Sequence, residues 1–310
     1  MAHAVGIDVS KDWLDIAQLE TGARWRLAND APGWSQLVER LKRHSQALIG
    51  LEASGGYEQG VMRALLRAGL QVRRINPLRL RRFAQAAGVK AKNDRLDARM
   101  IALFVATLPT RPAKLDPTRE RLAELVSARR QLQDDLVRLD NQAAHDRLAL
   151  TIRLRRRQIA LLKAQVALLD KHIAQLVNQA PEMARKAALM RSMPCIGPVV
   201  SQTLLALMPE LGELTARQAA ALVGVAPFDH DSGKLKGQRA IWGGRQSVRN
   251  ALYMAAMVAG QHNATLRAFR QRLISAGKPP KLALVALMRK IIVTLNAILR
   301  TNTPWRAPLP

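Results

Sequence analysis

The sequence predicts an α/β domain at the N-terminus followed by a mostly helical remainder. Three observations support this fold class. A length of 310 residues with 48% hydrophobic content is enough for two domains with ordinary cores. Strand and helix patterns alternate from residue 1 to about residue 108, and after that point long stretches lack glycine and proline breakers.

The N-terminal elements follow one another in α/β order. AVGIDVS and WLDIAQLE have strand patterns, RWRLAND is a weaker strand, and WSQLVERLKR is helical. ALIGLEA is an apolar run that ends at a glycine-rich turn. YEQGVMRALLRAGL is helical, QVRRINP is a short strand closed by proline, and RLDARMIALFVATL is a helix that ends near Pro109.

Beyond the proline-spaced segment TRPAKLDP, apolar residues recur in heptads up to about residue 179. The spacing alternates between three and four residues at Ile159, Leu162, Val166, Leu169, Ile173 and Leu176. Two long helices are expected, with Arg129 in the seam of the first. They could form a hairpin, an oligomer contact or a bundle within one protomer. The predicted domain boundaries are 1–110, 111–182 and 183–310.

The last predicted domain opens with RSMPCIGPVVSQTLLALMPELG. A proline-glycine turn before a helix of small residues is similar to a helix-hairpin-helix, in which backbone N–H groups hold a phosphate. Cys195 stands where that motif has its first glycine. Phosphate binding and a plain helix turn therefore both stay open.

The charge of the chain predicts a polyanionic partner. There are 49 Lys and Arg against 23 Asp and Glu, and the formal net charge is +26. After Asp231 the chain contains no acidic residue but 14 Lys and Arg. Such a one-sign block favours nucleic acid as the partner, with anionic lipid and ribosome-like packing as alternatives.

Several classes of protein are disfavoured by the composition. A single cysteine, Cys195, excludes disulfides and cysteine-based zinc sites, and indicates the cytoplasm. The start MAHAVGIDVS lacks the pattern of a signal peptide. LALVALMRKIIVTLNAIL is interrupted by Arg289 and Lys290, so we expect a core helix and no membrane partner. No GxxxxGK[ST] motif is present, which argues against ATP-driven chemistry of the P-loop type.

Four acidic residues fall at positions where a metal site could form. Asp8 lies in an apolar strand, Glu52 ends another, and Asp94 and Asp97 are three residues apart at a helix start. Singly, each could be a cap, an ion-pair partner or an edge residue. Together, hard oxygen ligands of this kind suit two Mg²⁺ ions that activate phosphoryl transfer. The flanking cations would hold the nucleic-acid backbone: Lys90, Lys92, Arg95 and Arg99.

Ser232 lies between Asp231 and Gly233 in the segment APFDHDSGKLKGQRAIWGGR. Asp-Ser-Gly is a common loop composition, because serine hydrogen-bonds its own backbone in turns. Local sequence alone therefore predicts an ordinary turn residue.

These segments together resemble the DEDD transposases of the bacterial insertion-sequence one-ten family. The resemblance is carried in order by GIDVSKDWLD, LEASGGY, INPLRLRRFAQAAGVKAKNDRLDARMIA, MPCIGPVVSQTLLA, SGKLKGQRAIWGGRQSVRNALYMAAMVA and GKPPKLALVALMRK. It covers almost the whole chain. It implies an N-terminal RuvC-like domain of RNase H fold, a coiled-coil insertion and a helical C-terminal transposase domain.

The resemblance also implies a site and partners. The four acids of the family fall on Asp8, Glu52, Asp94 and Asp97, and its nucleophilic serine falls on Ser232. Members are similar to recombinases guided by a bridge RNA that pairs with donor and target DNA. They resemble dimers to tetramers whose active sites combine the acids of one protomer with the serine of another.

The expected reaction is attack of Ser232 on a phosphodiester, assisted by Mg²⁺, with no need for ATP. His230 is a possible proton acceptor. The cations expected to contact nucleic acid in this domain are Lys234, Lys236, Arg239, Arg245 and Arg249. Two alternatives stay open: a RuvC-like nuclease or junction resolvase that uses water, and a non-catalytic nucleic-acid-binding protein.

Overall fold

The structure is a computed structural model, and it describes residues 3–43, 46–88, 94–228 and 240–306. The chain divides into two compact units, Met1–Asp116 and Pro117–Pro310. An α/β unit precedes an almost entirely helical one, as the sequence predicts.

The N-terminal unit is built on a five-stranded mixed sheet. Its strands are β1 (Ala4–Val9), β2 (Trp13–Gln18), β3 (Arg24–Ala28), β4 (Leu48–Glu52) and β5 (Gln71–Ile75). Its helices are α1 (Ala31–Lys42), α2 (Glu58–Arg67), α3 (Pro77–Ala86) and α4 (Asp94–Thr107). The strand order is β3-β2-β1-β4-β5, with β1 antiparallel to β2, β2 antiparallel to β3, and β1, β4 and β5 parallel.

Alternation along the strands gives the sheet two different faces. One face carries branched apolar side chains that form a core with α1 and α2. It includes Val5, Ile7, Leu14, Ile16, Ile49 and Leu51. The other face carries small residues at its centre, and α4 packs there.

Glycine allows α4 to approach the second face closely. Gly6 of β1 pairs with Gly50 of β4. A Cβ on Gly6 would lie 1.9 Å from the carbonyl oxygen of Ala98, and one on Gly50 would lie 2.8 Å from Ile101 Cγ2. The helix backbone therefore rests on the strand backbone, and any side chain at position 6 would force the two apart.

The second unit begins with two long helices, α5 (Pro117–Ala143) and α6 (Ala149–Gln179). They pack against each other. The seam Arg129 expected from the sequence donates a hydrogen bond from Nε to Asp170 Oδ1, which neutralises it inside the pair. A hairpin within one protomer is thus present, and a coiled-coil contact between protomers stays a prediction.

The remaining helices form one core. They are α7 (Pro181–Arg191), α8 (Pro198–Leu207), α9 (Ala216–Val223), α10 (Gln246–His262), α11 (Ala264–Ser275) and α12 (Pro280–Thr301). A two-stranded sheet, β6 (Pro227–Phe228) and β7 (Ala240–Ile241), lies between α9 and α10. Within the described residues α12 alone is long and apolar enough to cross a membrane, yet Leu287, Ile291, Ile292 and Leu295 are fully buried in the core.

Cys195 lies in the turn before α8 with a φ of 90°. This is the left-handed region that favours glycine, so the cysteine adopts the backbone conformation of the residue it replaces in the hairpin motif. Burial raises the pKa of its thiol to about 11. The thiol is therefore protonated at neutral pH, and phosphate binding by this turn stays a prediction.

Candidate active site

Asp8 and Glu52 lie side by side at one edge of the sheet. The last aligned pair of β1 and β4 is Ile7 with Leu51, so the next residue of each strand is the acid. Since side chains alternate, Asp8 follows Gly6 onto the face that carries α4, and Glu52 follows Gly50 onto the same face. Both acids are partly buried. The register brings together two of the four predicted acids.

A third acid lies in the same row, and sequence reasoning missed it. Asp15 of β2 is aligned with Asp8, and Arg26 of β3 is aligned with Asp15. Arg26 donates two hydrogen bonds to the Asp15 carboxylate, of 2.9 Å from Nε and 2.8 Å from Nη2. This fork neutralises Asp15, which would otherwise repel the neighbouring Asp8.

The other two predicted acids belong to the first turns of α4. Asp97 is one turn before Ile101, which contacts the Gly50 position, and Ile101 is one turn before Val105. Ala4 at the opposite end of β1 clusters with Val105, so the helix start lies toward the end of the strand where Asp8 stands. Asp94 is the first helical residue, and its side chain is outside the described residues.

The donor set has the chemistry of a hard-metal site. Carboxylates from two adjacent strand ends and a facing helix turn are ligands suited to Mg²⁺. Across the side chains that the structure describes, no three His, Cys, Asp or Glu residues are grouped closely enough to hold a metal ion. The backbone therefore places Asp8, Glu52 and Asp97 around one edge, but their described side chains do not form a closed ligand cluster.

Glu58 is the most buried acid of the described chain and was also missed from sequence. Its side chain is 0% exposed at the start of α2. Oε2 accepts hydrogen bonds of 3.1 Å from the Ser54 N–H and 2.9 Å from the Gly56 N–H, and Oε1 is 2.6 Å from Arg74 Nη2. The carboxylate thus fixes the loop that follows Glu52 and links it to β5.

Two opposing effects set the pKa of Glu58. Burial acts to raise it, while hydrogen bonds from backbone N–H groups and the Arg74 charge lower it, and the net result is a pKa below the ordinary 4.5. Glu58 is therefore ionised at neutral pH. It acts on the loop and not as a proton donor.

The segment that carries the predicted serine is flanked by two short paired strands, β6 and β7, which together form a stem. Ser232 lies outside the described residues, as do His230, Lys234, Lys236 and Arg239. The strands on either side, β6 and β7, pair through Pro227 with Ile241 and Phe228 with Ala240. Both ends of the segment are therefore held together in one short antiparallel ladder.

Close packing of glycines anchors this stem to α9. Gly224 ends α9 with a φ of 79°, and a Cβ there would lie 2.1 Å from the Gly243 carbonyl oxygen. A Cβ on Gly244 would lie 2.2 Å from the Gly224 nitrogen. The WGGR motif is therefore a packing element that permits backbone contact.

Two arginines expected to contact nucleic acid, Arg245 and Arg249, make contacts within the fold, and their expected role stays a prediction. Arg245 donates to Glu210 at 2.7 and 2.8 Å and to the Leu207 carbonyl at 2.7 Å. Arg249 donates to the Gly243 carbonyl and to Gln246 Oε1. The structure gives both side chains a role in holding the stem. The Lys92 and Arg95 side chains lie outside the described residues, and their expected contact with nucleic acid stays a prediction.

Two family models match the chain. The IS110-type DEDD transposase model, described as "Transposase", matches residues 5–156. The model described as "Transposase IS116/IS110/IS902 family" matches residues 187–271. Each model covers one of the two regions in which sequence patterns predicted a functional residue.

Two proteins and one solved structure are similar to this chain. The "Pilin gene-inverting protein" of Moraxella bovis is 26% identical over 97% of this chain and 97% of its own length. The "Insertion element IS110 uncharacterized 43.6 kDa protein" of Streptomyces coelicolor is 27% identical over 43% of this chain and 34% of its own length. A solved structure of T. thermophilus RuvC in complex with Holliday junction substrate matches 36% of this chain and 100% of that chain, at 14% identity and a TM-score of 0.28.

Proposed function

Because the chain belongs to the IS116/IS110/IS902 transposase family and is a DNA-rearranging enzyme, we propose that it cuts and rejoins DNA through a covalent link to Ser232. One observation carries the proposal for the acidic half of the site. The register of β1 and β4 places Asp8 and Glu52 next to each other on the face where α4 brings Asp94 and Asp97. We infer an RNase H-like, RuvC-type architecture for this unit from its strand order.

The proposed reaction is a transesterification in two steps. Ser232 Oγ attacks the scissile phosphorus, the Oγ–P bond forms, and the bond from phosphorus to the DNA sugar oxygen breaks. That oxygen takes up a proton and leaves as a hydroxyl, while the serine proton passes to a base such as His230. A hydroxyl of the new DNA partner then attacks the phosphoserine and releases Ser232. One phosphodiester replaces another, so no ATP is consumed.

Divalent metal ions complete the proposed site. Asp8, Glu52, Asp94 and Asp97 would hold two Mg²⁺, which when bound neutralise charge developing on the phosphate. The hydrogen bonds that Glu58 accepts from the Ser54 and Gly56 N–H groups support this assignment of the metal ligands, since they hold the loop that follows Glu52.

DNA is the proposed substrate, and a structured guide RNA the proposed second partner. The acid-free segment after Asp231 supports nucleic-acid binding because a one-sign surface attracts phosphates. Binding that rests on about 6–10 phosphate contacts should weaken by orders of magnitude as salt rises from 50 to 200 mM. We place this activity in the bacterial cytoplasm, at the nucleoid.

We also propose that the enzyme works as a homo-oligomer, from dimer to tetramer. An exposed stripe on α6 supports this, because Leu154, Leu161 and Leu168 recur every seven residues and are 50 to 59% exposed. Exposed apolar residues on or beside β6, β7 and α10 support it further. They are Phe228, Ile241, Trp242, Tyr253 and Met254. Contiguous exposed apolar surface is typical of an interface between proteins.

The covalent link is tested by denaturing the reaction. The protein is expressed from its complete genetic locus, so that any guide RNA copurifies with it. The purified material is then incubated with end-labelled donor and target DNA and Mg²⁺. Wild type should yield labelled DNA that stays attached to protein in SDS, and Ser232→Ala should yield none. Ser275→Ala is the matched control, because Ser275 is an exposed serine of the same unit.

Three other outcomes would contradict the proposal in different ways. Full recombination by Ser232→Ala would exclude the serine mechanism. Mg²⁺-dependent cleavage without any adduct would indicate a nuclease or resolvase that uses water. Tight nucleic-acid binding with no cleavage, unchanged by Asp8→Asn, would indicate a non-catalytic binding protein.

A further inference from the structure

We infer that Asn29 is a positioning residue that sets the spacing between the Asp8 and Glu52 strand ends. Asn29 lies between β3 and α1, and its carboxamide bridges the chain segments that follow the two acids. The inference rests on the proposed metal role of those acids.

The bridge consists of hydrogen bonds from one nitrogen to backbone carbonyl groups of both segments, including a 3.5 Å bond to Lys11 in the turn after β1. Asn29 Nδ2 donates to the carbonyl oxygen of Ser10 at 2.8 Å and to that of Tyr57 at 3.3 Å. Ser10 is two residues after Asp8, and Tyr57 follows Glu52 by five residues. One carboxamide therefore ties the turn after β1 to the loop after β4.

A tryptophan fixes the orientation of this carboxamide. Trp34 Nε1 donates to Asn29 Oδ1 at 2.8 Å, so the oxygen side of the amide is turned to α1 and the nitrogen side must face the carbonyl groups. The indole is itself held in place, because a Cβ on Gly60 would lie 2.3 Å from Trp34 Cη2. The donor that bridges the loops is thus oriented before any ligand arrives.

Asn29 links the two segments just beyond the end of the hydrogen-bonded ladder between β1 and β4. The alignment of β1 with β4 ends at Ile7 and Leu51, and both acids lie one residue beyond it. In the segment after Glu52, Glu58 holds the Ser54 and Gly56 N–H groups and links the loop to β5, whereas Asn29 links the loop to the turn after β1. Asn29 supplies the restraint across the two strand ends on this side.

Restraint of this kind matters for a metal site because ligand atoms must be held within about 0.5 Å of their productive positions. Loss of partners that orient ligands costs about 10–100-fold in metal affinity or activity. We therefore expect Asn29 to act on metal affinity through Asp8 and Glu52, without touching metal or DNA.

The experiment measures Mn²⁺ binding to the full-length chain by isothermal titration calorimetry, without DNA. Asn29→Ala should raise the Kd for Mn²⁺ about 10–100-fold. Asp30→Ala is the matched control, since the side chain of the neighbouring Asp30 caps α1 by accepting a 2.8 Å hydrogen bond from the Gly33 N–H. Its Kd should equal that of wild type although its melting temperature falls.

Trp34→Phe gives a second, milder perturbation that keeps an aromatic ring against Gly60. It should weaken Mn²⁺ binding in the same direction by releasing the amide, and it decides the matter if Asn29→Ala does not fold. Circular dichroism on each variant establishes that it is folded at the titration temperature.

Two results would overturn the inference. One is an unchanged Kd in Asn29→Ala, or in Trp34→Phe if only that variant folds. The other is an equal loss in Asp30→Ala, which would show that destabilisation alone weakens the site. Absence of Mn²⁺ binding by wild type would defeat the proposed metal role and this inference with it. The serine proposal is judged separately, because adduct formation is read from Ser232 and Mn²⁺ binding is not.

Discussion

Replacing Glu58 with glutamine should destabilise the N-terminal unit even though the shape of the side chain is kept. The carboxylate accepts on both sides: one oxygen from the N–H groups of Ser54 and Gly56, the other from Arg74. A glutamine has only one accepting oxygen. Whichever way its amide turns, the NH₂ group meets donors, and one set of bonds is lost.

The cost can be estimated from the burial of the two partners. Glu58 is 0% exposed, and removing one partner of a buried ion pair costs about 3–5 kcal/mol, because the other charge is left unpaired. The Arg74 side chain is 50% exposed and can regain water, which reduces the cost. We expect about 3 kcal/mol, since each hydrogen bond to a charged group contributes about 1.5–3 kcal/mol.

Urea unfolding of the full chain measures this, with hydrogen exchange used to assign the loss to the N-terminal unit. Glu39→Gln is the matched control, because Glu39 pairs with Lys42 at 2.7 Å while 70% exposed. Such a surface pair contributes about 0–1 kcal/mol. A loss in free energy of unfolding for Glu58→Gln that is no larger than the loss for Glu39→Gln would refute the structural role assigned to the Glu58 carboxylate.

The same group predicts a pH dependence of stability. Because the pKa of Glu58 is below 4.5 in the folded chain, folding favours the ionised form. Its contribution to the free energy of unfolding is therefore fully present above about pH 4.5 and is lost as the pH falls through the folded pKa. Glu58→Gln should remove this acid-side slope, and an identical slope in the variant would contradict the assignment.

Two further substitutions test the packing that presents the site. Gly6→Ala would place a Cβ 1.9 Å from the Ala98 carbonyl, so we expect a loss of about 3 kcal/mol in urea unfolding, whereas Gly197→Ala, where nothing lies within 4 Å, should cost far less. Arg245→Gln should lower the stability of the C-terminal unit by about 2 kcal/mol, because it breaks the fork to Glu210. An unchanged melting curve with weaker DNA binding would contradict this structural role and support Arg245 as a nucleic-acid contact.

The strands of the N-terminal unit and its helices α1, α2 and α4 could be predicted, because their side-chain pattern is set by what each element buries, whereas α3 was not predicted. Alternating apolar residues in AVGIDVS identify β1, and the same alternation places Asp8 on the face opposite to Val5 and Ile7. The helix over RLDARMIALFVATL matches α4 for the same reason. Local pattern is sufficient here because each element has one buried face.

The partners of charged residues could not be predicted, because they depend on strand order and register. The fork from Arg26 to Asp15 requires β2 and β3 to pair in one particular alignment, which no local pattern specifies. Glu58 lies at the start of an ordinary helix pattern, and its contact with Arg74 appears only when β5 is next to β4. The signal available in the sequence was an acidic residue, Glu58, that follows a serine-glycine loop at the start of a helix pattern.

The arginines of the C-terminal unit illustrate a different limit. A net charge of +26 predicts a nucleic-acid partner, but it does not say which cations make contacts inside the fold. Arg245 follows two glycines that pack against the end of α9, and its side chain donates to Glu210, which lies 35 residues earlier in the chain. Sequence therefore bounds the partner class, while packing decides which arginines remain to contact it.

Two glycines of the sheet determine how closely α4, which carries two of the four predicted acids, approaches the strands that carry the other two. Gly6 and Gly50 are aligned across β1 and β4, and each is two residues before an acid on the same face. Because they lack side chains, α4 descends onto the strands and its first turn, with Asp97, reaches the level of the strand ends. A larger residue at either glycine would leave all four carboxylates in the sequence yet move the helix away. The spacing of the acids is therefore encoded at positions 6 and 50 as much as at the acids themselves.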